Sequence, residues 1–303
     1  MFNNYLRWLL PVLLLLALPA PAQQKPASPK PVAPRPAVRP KPAKRVAAKP
    51  APKPIVPKLE RAVVISVSDT IKGRFVVPQV QMANMAVAAR INLELADAAL
   101  GEDLDEVPQP LTALAAIEQA HAEFAIGKSG FTTSRYEVLY NDHNLLSVEC
   151  ISDYQGAYPS TVRRHATFDL RTGRLLEVRD LVADTVALRQ RWQQSINRRV
   201  TEHLRTLPNE YPQITTDTKL LADVKQRLYW NDSLGAVELL PEEPRFYDFA
   251  LTPFGLMLYY DFGFPYVIQA LQPDLDYQFS YVDLKSWLKP KGPLDFPLAA
   301  SGK

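Results

Sequence analysis

The chain reads as an α+β protein, with antiparallel sheets packed against helices. Three observations carry that reading. Apolar and polar residues alternate over 131–140, 145–154 and 164–170, the period of strands with one buried face. Apolar residues recur every three or four positions over 82–100, 111–124 and 185–204, the period of amphipathic helices. The strands succeed one another through short polar links without strict strand–helix–strand alternation, which points away from a parallel sheet.

Two segments precede this part. Arg7 and the apolar run Leu9–Leu18 are followed by Ala20-Pro21-Ala22, the order of a secretory signal peptide, residues 1–22, with cleavage expected after Ala22. The run is shorter than the roughly 20 residues that a helix needs to span a bilayer. Residues 23–58 hold 11 prolines, ten Lys or Arg and no acidic residue. Proline removes backbone donors and like charges repel, so this stretch reads as a disordered Pro/Lys/Arg-rich linker suited to anionic envelope polymers. The expected localisation is secreted or periplasmic.

The tether also hides the charge of the rest of the chain. Once Arg7 and its ten cations are set aside, 24 basic residues face 32 acidic ones in 59–303, a net charge of about −8. Nucleic-acid binding rests on clustered cations, so no nucleic-acid partner is expected. The lone Cys150 cannot form an internal disulfide and reads as a small buried hydrophobe.

Two α+β subdomains are expected, 59–180 and 181–303. In the first, 61–68 and 75–80 read as strands around a turn, with Pro78 ending the second. A helix over 82–100 presents the stripe Met82, Met85, Ala89, Leu93 and Ala96 and closes at Gly101. The acidic turn 101–110 leads to a second helix, 111–124, ending near Gly127. Next comes a three-strand meander, its first turn at 141–144 and its last at Arg171-Thr172-Gly173, where Gly173 supplies a positive φ.

In the second subdomain, Asp184 and Thr185 cap a long helix with Leu188, Trp192, Ile196, Val200 and Leu204 on one face. Arg189, Arg191, Arg198 and Arg199 form its solvated face. A helix over 220–228 comes next. A hairpin over 246–262 turns at Thr252-Pro253-Phe254-Gly255, and a strand over 277–282 leads to a last short helix capped by Asp283.

The stretch QGAYPSTVRRHATFDLRTG, 155–173, holds His165 and Asp169. Alternation puts Ala166, Phe168 and Leu170 on one face and His165, Thr167 and Asp169 on the other. The Cα atoms of His165 and Asp169 would lie about 13 Å apart along the strand, too far for a catalytic His–Asp pair. His165 is then a cross-strand polar residue.

Little else suggests chemistry. His121, His143, His165 and His203 lack metal-ligand spacing, and there is no GxSxG, GxxxxGK[ST] or GxGxxG motif. No catalytic residue, metal or cofactor is expected. Aromatic density stands out instead: Tyr259, Tyr260, Phe262, Phe264 and Tyr266 lie close together, and Tyr154 and Tyr158 flank Gly156. These seven are the candidate ligand-contact residues, since tyrosines supply contact area at low entropic cost.

The runs YEVLYNDHNLLSVECISDYQGAYPS and TFDLRTGRLLEVRDLV resemble the RsiV-like family. So do FALTPFGLMLYYDFGFPYVIQA, YQFSYVDLKSWL and VVPQVQMANMAVAARINLEL. The resemblance spans about 61–289. It implies an extracytoplasmic paired domain of largely unknown role, in one relative a lysozyme-binding anti-sigma factor. The turn Gly156-Ala157-Tyr158-Pro159 keeps one family glycine and carries tyrosine where the family has histidine, so that histidine's role does not transfer. The expected function is an exported, non-catalytic binding module of the cell envelope, recognising a protein, lysozyme-like in one version, or a peptidoglycan component. The rivals are a TonB-like periplasm-spanning protein, favoured by the spacer, and a peptidoglycan-modifying enzyme built on a carboxylate pair.

Overall fold

The computed structural model describes residues 61–68, 74–100, 112–127, 130–238, 246 and 248–295. The signal peptide, the tether, the 69–73 turn and the acidic turn beginning at Gly101 lie outside the described residues. The described part is α+β and belongs to one compact unit. Its elements are β1 (Val63–Ser68), β2 (Val76–Gln81), α1 (Met85–Leu100), α2 (Ala113–Ala125), β3 (Phe131–Asp142), β4 (Leu145–Gln155), β5 (Pro159–Asp169), β6 (Arg174–Leu175) and α3 (Val178–Leu181). Then come α4 (Thr185–Glu210), α5 (Thr218–Arg227), β7 (Trp230–Asn231), β8 (Ala236–Val237), β9 (Phe249–Thr252), β10 (Gly255–Tyr259), β11 (Asp276–Ser280) and α6 (Tyr281–Leu284).

The centre is the antiparallel meander β3-β4-β5-β6. Its first turn uses two left-handed residues, His143 (φ 53°) and Asn144 (φ 61°), a geometry that matches the twist of the strands it joins. Strand β5 begins at Pro159, five residues before the expected Arg164. The reason is exposure: residues 159–163 are open on both faces, so nothing forces them to alternate. At Gly173, φ is 72° and an added Cβ would come within 2.9 Å of the Val87 carbonyl oxygen on α1. Arg90 closes the same contact by donating from Nη1 to the Thr172 carbonyl at 2.7 Å.

Helices α1 and α2 cover one face of this sheet. Thr112 caps α2, its hydroxyl accepting from the Ala115 N–H. The buried stripe of α1 is Val87, Ala88, Ile91, Leu95, Ala96, Ala99 and Leu100, which keeps Ala96 of the expected stripe, while Met85 is 81% exposed and Leu93 46% exposed. The buried face is therefore rotated from the expected stripe. Apolar residues occur around most of this helix, and Arg90, Glu94 and Asp97 mark its outer side. Strand β2 also runs through Pro78 rather than ending there. The N–H groups of Val76 and Val80 leave β1 for the side chains of Ser134 and Asn92. Residue 78 shares their phase, so a proline there removes no bond to β1.

The other face packs on the sheet β11-β10-β9 and on α4. The β9–β10 hairpin turns at Pro253-Phe254 as expected. Gly255 is required by close approach, since an added Cβ would lie 2.0 Å from the Phe279 carbonyl oxygen. Asp184 caps α4, and Leu188, Trp192, Ile196 and Val200 are buried, with Leu207 rather than Leu204 completing the stripe. Arg199 is not a purely solvated residue. It donates to the Asp274 carbonyl at 3.0 Å and to the Asp276 carbonyl, and its guanidinium sits 4.3 Å over the Tyr277 ring. The last helix starts three residues before the expected leucine, with Ser280 as its cap and Asp283 inside its first turn. The two hydrophobic cores draw on residues 62–170 and 140–294, and they meet at the central sheet.

Candidate functional site

The second face of the central sheet changes character along its length. Near the first turn it is sealed: the Ser147 and Thr167 hydroxyls hydrogen-bond at 2.9 Å, and Ser147 Oγ accepts from the Leu251 N–H at 3.1 Å. Two residues along, β4 and β5 pair Glu149 directly with His165. There the two sheets part to form a groove of about 860 Å³.

His165 is a cross-strand residue, and its imidazole is enclosed, with the side chain 1% exposed. Its Nε2 lies 3.1 Å from Glu149 Oε1 and its Nδ1 2.6 Å from Asp248 Oδ1. The Tyr259 ring stacks on it at 3.9 Å, tilted by 8°. Burial alone would push the imidazole down, but the Asp248 and Glu149 carboxylates outweigh it and hold the ring above its ordinary value of 6.5. Burial would push Glu149 up, and its bonds from His165 and Arg163 bring it below its ordinary value. Arg163 Nη1 reaches both Glu149 oxygens, at 2.9 and 3.0 Å, from the diagonal position on the same face. His165 is thus an imidazolium clamped between two carboxylates, with both N–H groups spent.

The groove is acidic. Glu149, Asp248, Asp261 and Asp276 face it with Arg135 and Arg163 as the opposing guanidiniums. The carboxylates differ in what holds them. Glu149 has Arg163 and His165, and Asp276 has Arg199 at 3.7 Å. Asp261 accepts from the Gly263 N–H and the Gln272 amide. Asp248 has His165, and its side chain remains 41% exposed. A larger cleft of about 970 Å³ lies beside α4. Its chief polar groups are already engaged, Arg199 as described and His203 on the Leu271 carbonyl.

The seven aromatic candidates do not form one patch. Phe262 and Phe264 are core residues, 3% and 8% exposed. Tyr260 packs edge-on against Trp192 and Phe262. Tyr154 leans on Phe131, and Tyr259 on His165. Strand alternation does not order them, because Tyr259 ends β10 and the residues from Tyr260 to Tyr266 follow it outside the sheet. Tyr158 and Tyr266 remain outside, 55% and 50% exposed, and stack on each other with ring centroids 5.0 Å apart. They come from the β4–β5 turn and from the 3-10 turn Tyr266–Leu271, which also lifts Val267 to 70% exposure. A recess of about 500 Å³ beside Tyr266 shares Thr161 and Gln269 with the acidic groove. Ridge, recess and groove are one continuous surface.

Sequence reasoning misses Glu149, Arg163, Arg135 and Asp248. Glu149 carries a signal: counting inward from the Gly156 turn pairs it with His165. Asp248 comes after residues outside the described set and shows no periodicity. Cys150 is buried, and burial pushes its thiol up to about 12. Among the described residues, no three His, Cys, Asp or Glu side chains are arranged to hold a metal, and no helix is long and apolar enough to cross a membrane.

No family model and no curated protein matches the chain. Among solved structures it is similar to a DUF3298 family protein from Pseudomonas aeruginosa, with 18% identity and a TM-score of 0.44 over 77% of this chain and 94% of that one. It is also similar to a member of the same family from Bacteroides fragilis, at 16% identity and a TM-score of 0.38 over the same shares. Likeness at this level carries no function across.

Proposed function

We propose that the chain is an exported, non-catalytic binding module of the cell envelope whose partner is a protein with a basic surface. The observation that carries this reading is the exposed Tyr158–Tyr266 stack, continuous with a groove where four carboxylates face two arginines and the His165 imidazolium, which leaves the carboxylates in excess. Stacked tyrosines give an interface contact area that is already ordered, and an acidic groove steers a basic partner towards it. The net charge of about −8 over 59–303 acts in the same direction. Catalysis is not favoured, because both nitrogens of the buried histidine are occupied by carboxylates. The resemblance to the RsiV-like family agrees, since one relative binds lysozyme, a basic protein.

Calorimetric titration of the purified chain with lysozyme tests the reading. Micromolar or tighter binding is expected, weakening with added salt and at least tenfold weaker in a Tyr158→Ala/Tyr266→Ala chain. Retention on peptidoglycan without any affinity for lysozyme would move the ligand to the wall. Export is read from the mature N-terminus by mass spectrometry, expected at Gln23.

A further inference from the structure

We infer that Asp248 is the acceptor for a Lys or Arg side chain of the partner, and that engaging it expels the proton held on His165, so that capture strengthens as pH rises. This rests on the basic-partner reading above.

The geometry makes His165 and an incoming cation competitors for one carboxylate. Among the described residues, Asp248 is the groove carboxylate whose ion pair is to a titratable ring alone: it meets His165 through Oδ1, and 41% of its side chain is open. His165 reaches no solvent, so its proton is sustained by its immediate neighbours alone. From β4 it sees Glu149 and from β5 Arg163, with Asp248 at the mouth and Tyr259 from β10. Arg135 from β3, Asp261 and Asp276 from β11 complete the charged surroundings. Burial pushes the Tyr259 hydroxyl up, so it stays neutral. Arg135 is held by Asp153 at 2.5 Å, and Asp276 pairs with Arg199.

A cation on Asp248 offsets the negative charge of one of the two carboxylates that keep the imidazole charged. The proton can then leave without orphaning its other partner, because Glu149 retains Arg163 at 2.9 and 3.0 Å. Neutral His165 keeps one N–H, enough for one carboxylate. Linkage fixes the sign. If binding releases a proton, raising pH favours binding, by about tenfold for each unit separating the proton affinities of the free and bound states.

The test is calorimetry of the purified chain with two probes, lysozyme and hexalysine, in phosphate and in Tris from about pH 6 to about pH 9. Expected is buffer-dependent heat equal to release of up to one proton, affinity rising with pH, and loss of both effects in Asp248→Asn with about tenfold weaker binding. His165→Gln should bind with a flattened pH profile. Should that variant fail to fold, the ring proton signal of His165 in the native chain is followed by NMR, and its titration should move to lower pH when probe is added. Hexalysine bound with proton release while lysozyme is ignored supports the inference and overturns the lysozyme reading. Lysozyme bound with pH-independent affinity and no proton release overturns the inference alone. Binding of neither probe overturns both.

Discussion

The two faces of the β3–β6 sheet solve the same packing problem in opposite ways. Towards α1 and α2 the face is dry: Leu146, Val148, Ala166 and Phe168 pair across β4 and β5 and are at most 4% exposed. Towards β9–β11 the alternate positions of the same strands are Ser147, Glu149, His165 and Thr167, buried or nearly so but polar. The first face is held by dispersion and exclusion of water. The second requires every polar group to find a partner, because an unpaired one costs more than a lost apolar contact. A sheet that needed only stability would be covered by apolar residues on both sides. The polar face is where this fold gives up simple packing, and it is the face that opens into the groove.

The contrast can be broken most forcefully at Phe168 and Glu149. Phe168→Ala should destabilise by about 3–5 kcal/mol through the cavity it leaves. Glu149→Ala should cost a similar amount, about 3–5 kcal/mol, by removing one of the two carboxylates that hold the buried imidazolium and leaving its Nε2–H unpaired. Urea denaturation at several pH values separates the two causes. The Phe168 loss stays constant with pH, whereas the Glu149 loss shrinks once His165 no longer carries a proton. Equal pH profiles would erase the distinction between the faces.

Ser147→Ala comes next, at about 1–3 kcal/mol, because it leaves the buried Leu251 N–H without its acceptor. Val148→Ala, one residue away on the dry face, removes bulk without stranding a donor. Hydrogen exchange should therefore show faster opening at Leu251 in the first variant alone.

The polar face should also set the pH optimum of stability. His165 lies above its ordinary value of 6.5, so its contribution is complete below 6.5 and is lost as pH rises through its higher folded value. Glu149 lies below its ordinary value of 4.5, so its contribution is complete above 4.5 and is lost as pH falls through its lower folded value. Together they are fully stabilising between those two ordinary values. Thermal melts across pH should peak there, with about 1.4 kcal/mol at stake for each unit of displacement. A His165→Gln chain should lose the alkaline limb.

The smallest effect on stability is expected at the ridge. Tyr158→Ala and Tyr266→Ala should each change it by within about 0.5 kcal/mol, since both side chains are half exposed. Any loss of binding in these variants then reports contact rather than unfolding.

Much of this architecture is legible in the sequence. The meander, the Gly173 turn, the cap at Asp184 and the Pro253-Phe254 hairpin come from local chemistry, where a residue type has one physical use. Sequence and structure part where several faces are equally apolar, as on α1, or where exposure on both sides removes the alternation, as at 159–163. The site is less legible than the fold. Strand spacing correctly separates His165 from Asp169, whose carboxylate holds Arg171 instead. The partner that matters, Asp248, lies 83 residues away and is delivered by the packing of one sheet on another. The aromatic run near the C-terminus reads as one surface, yet its members divide among core, groove and ridge because the chain turns at Gly263 and enters the 3-10 turn at Tyr266.

The most direct measurement of the central claim is a map of amide chemical shifts in the isotope-labelled chain as lysozyme is added. Changes concentrated at Tyr158, Thr161, Asp248, Tyr266 and Gln269, with α1 and α2 silent, are the predicted result. Changes centred on the α1–α2 side, or none at saturating lysozyme, would contradict it.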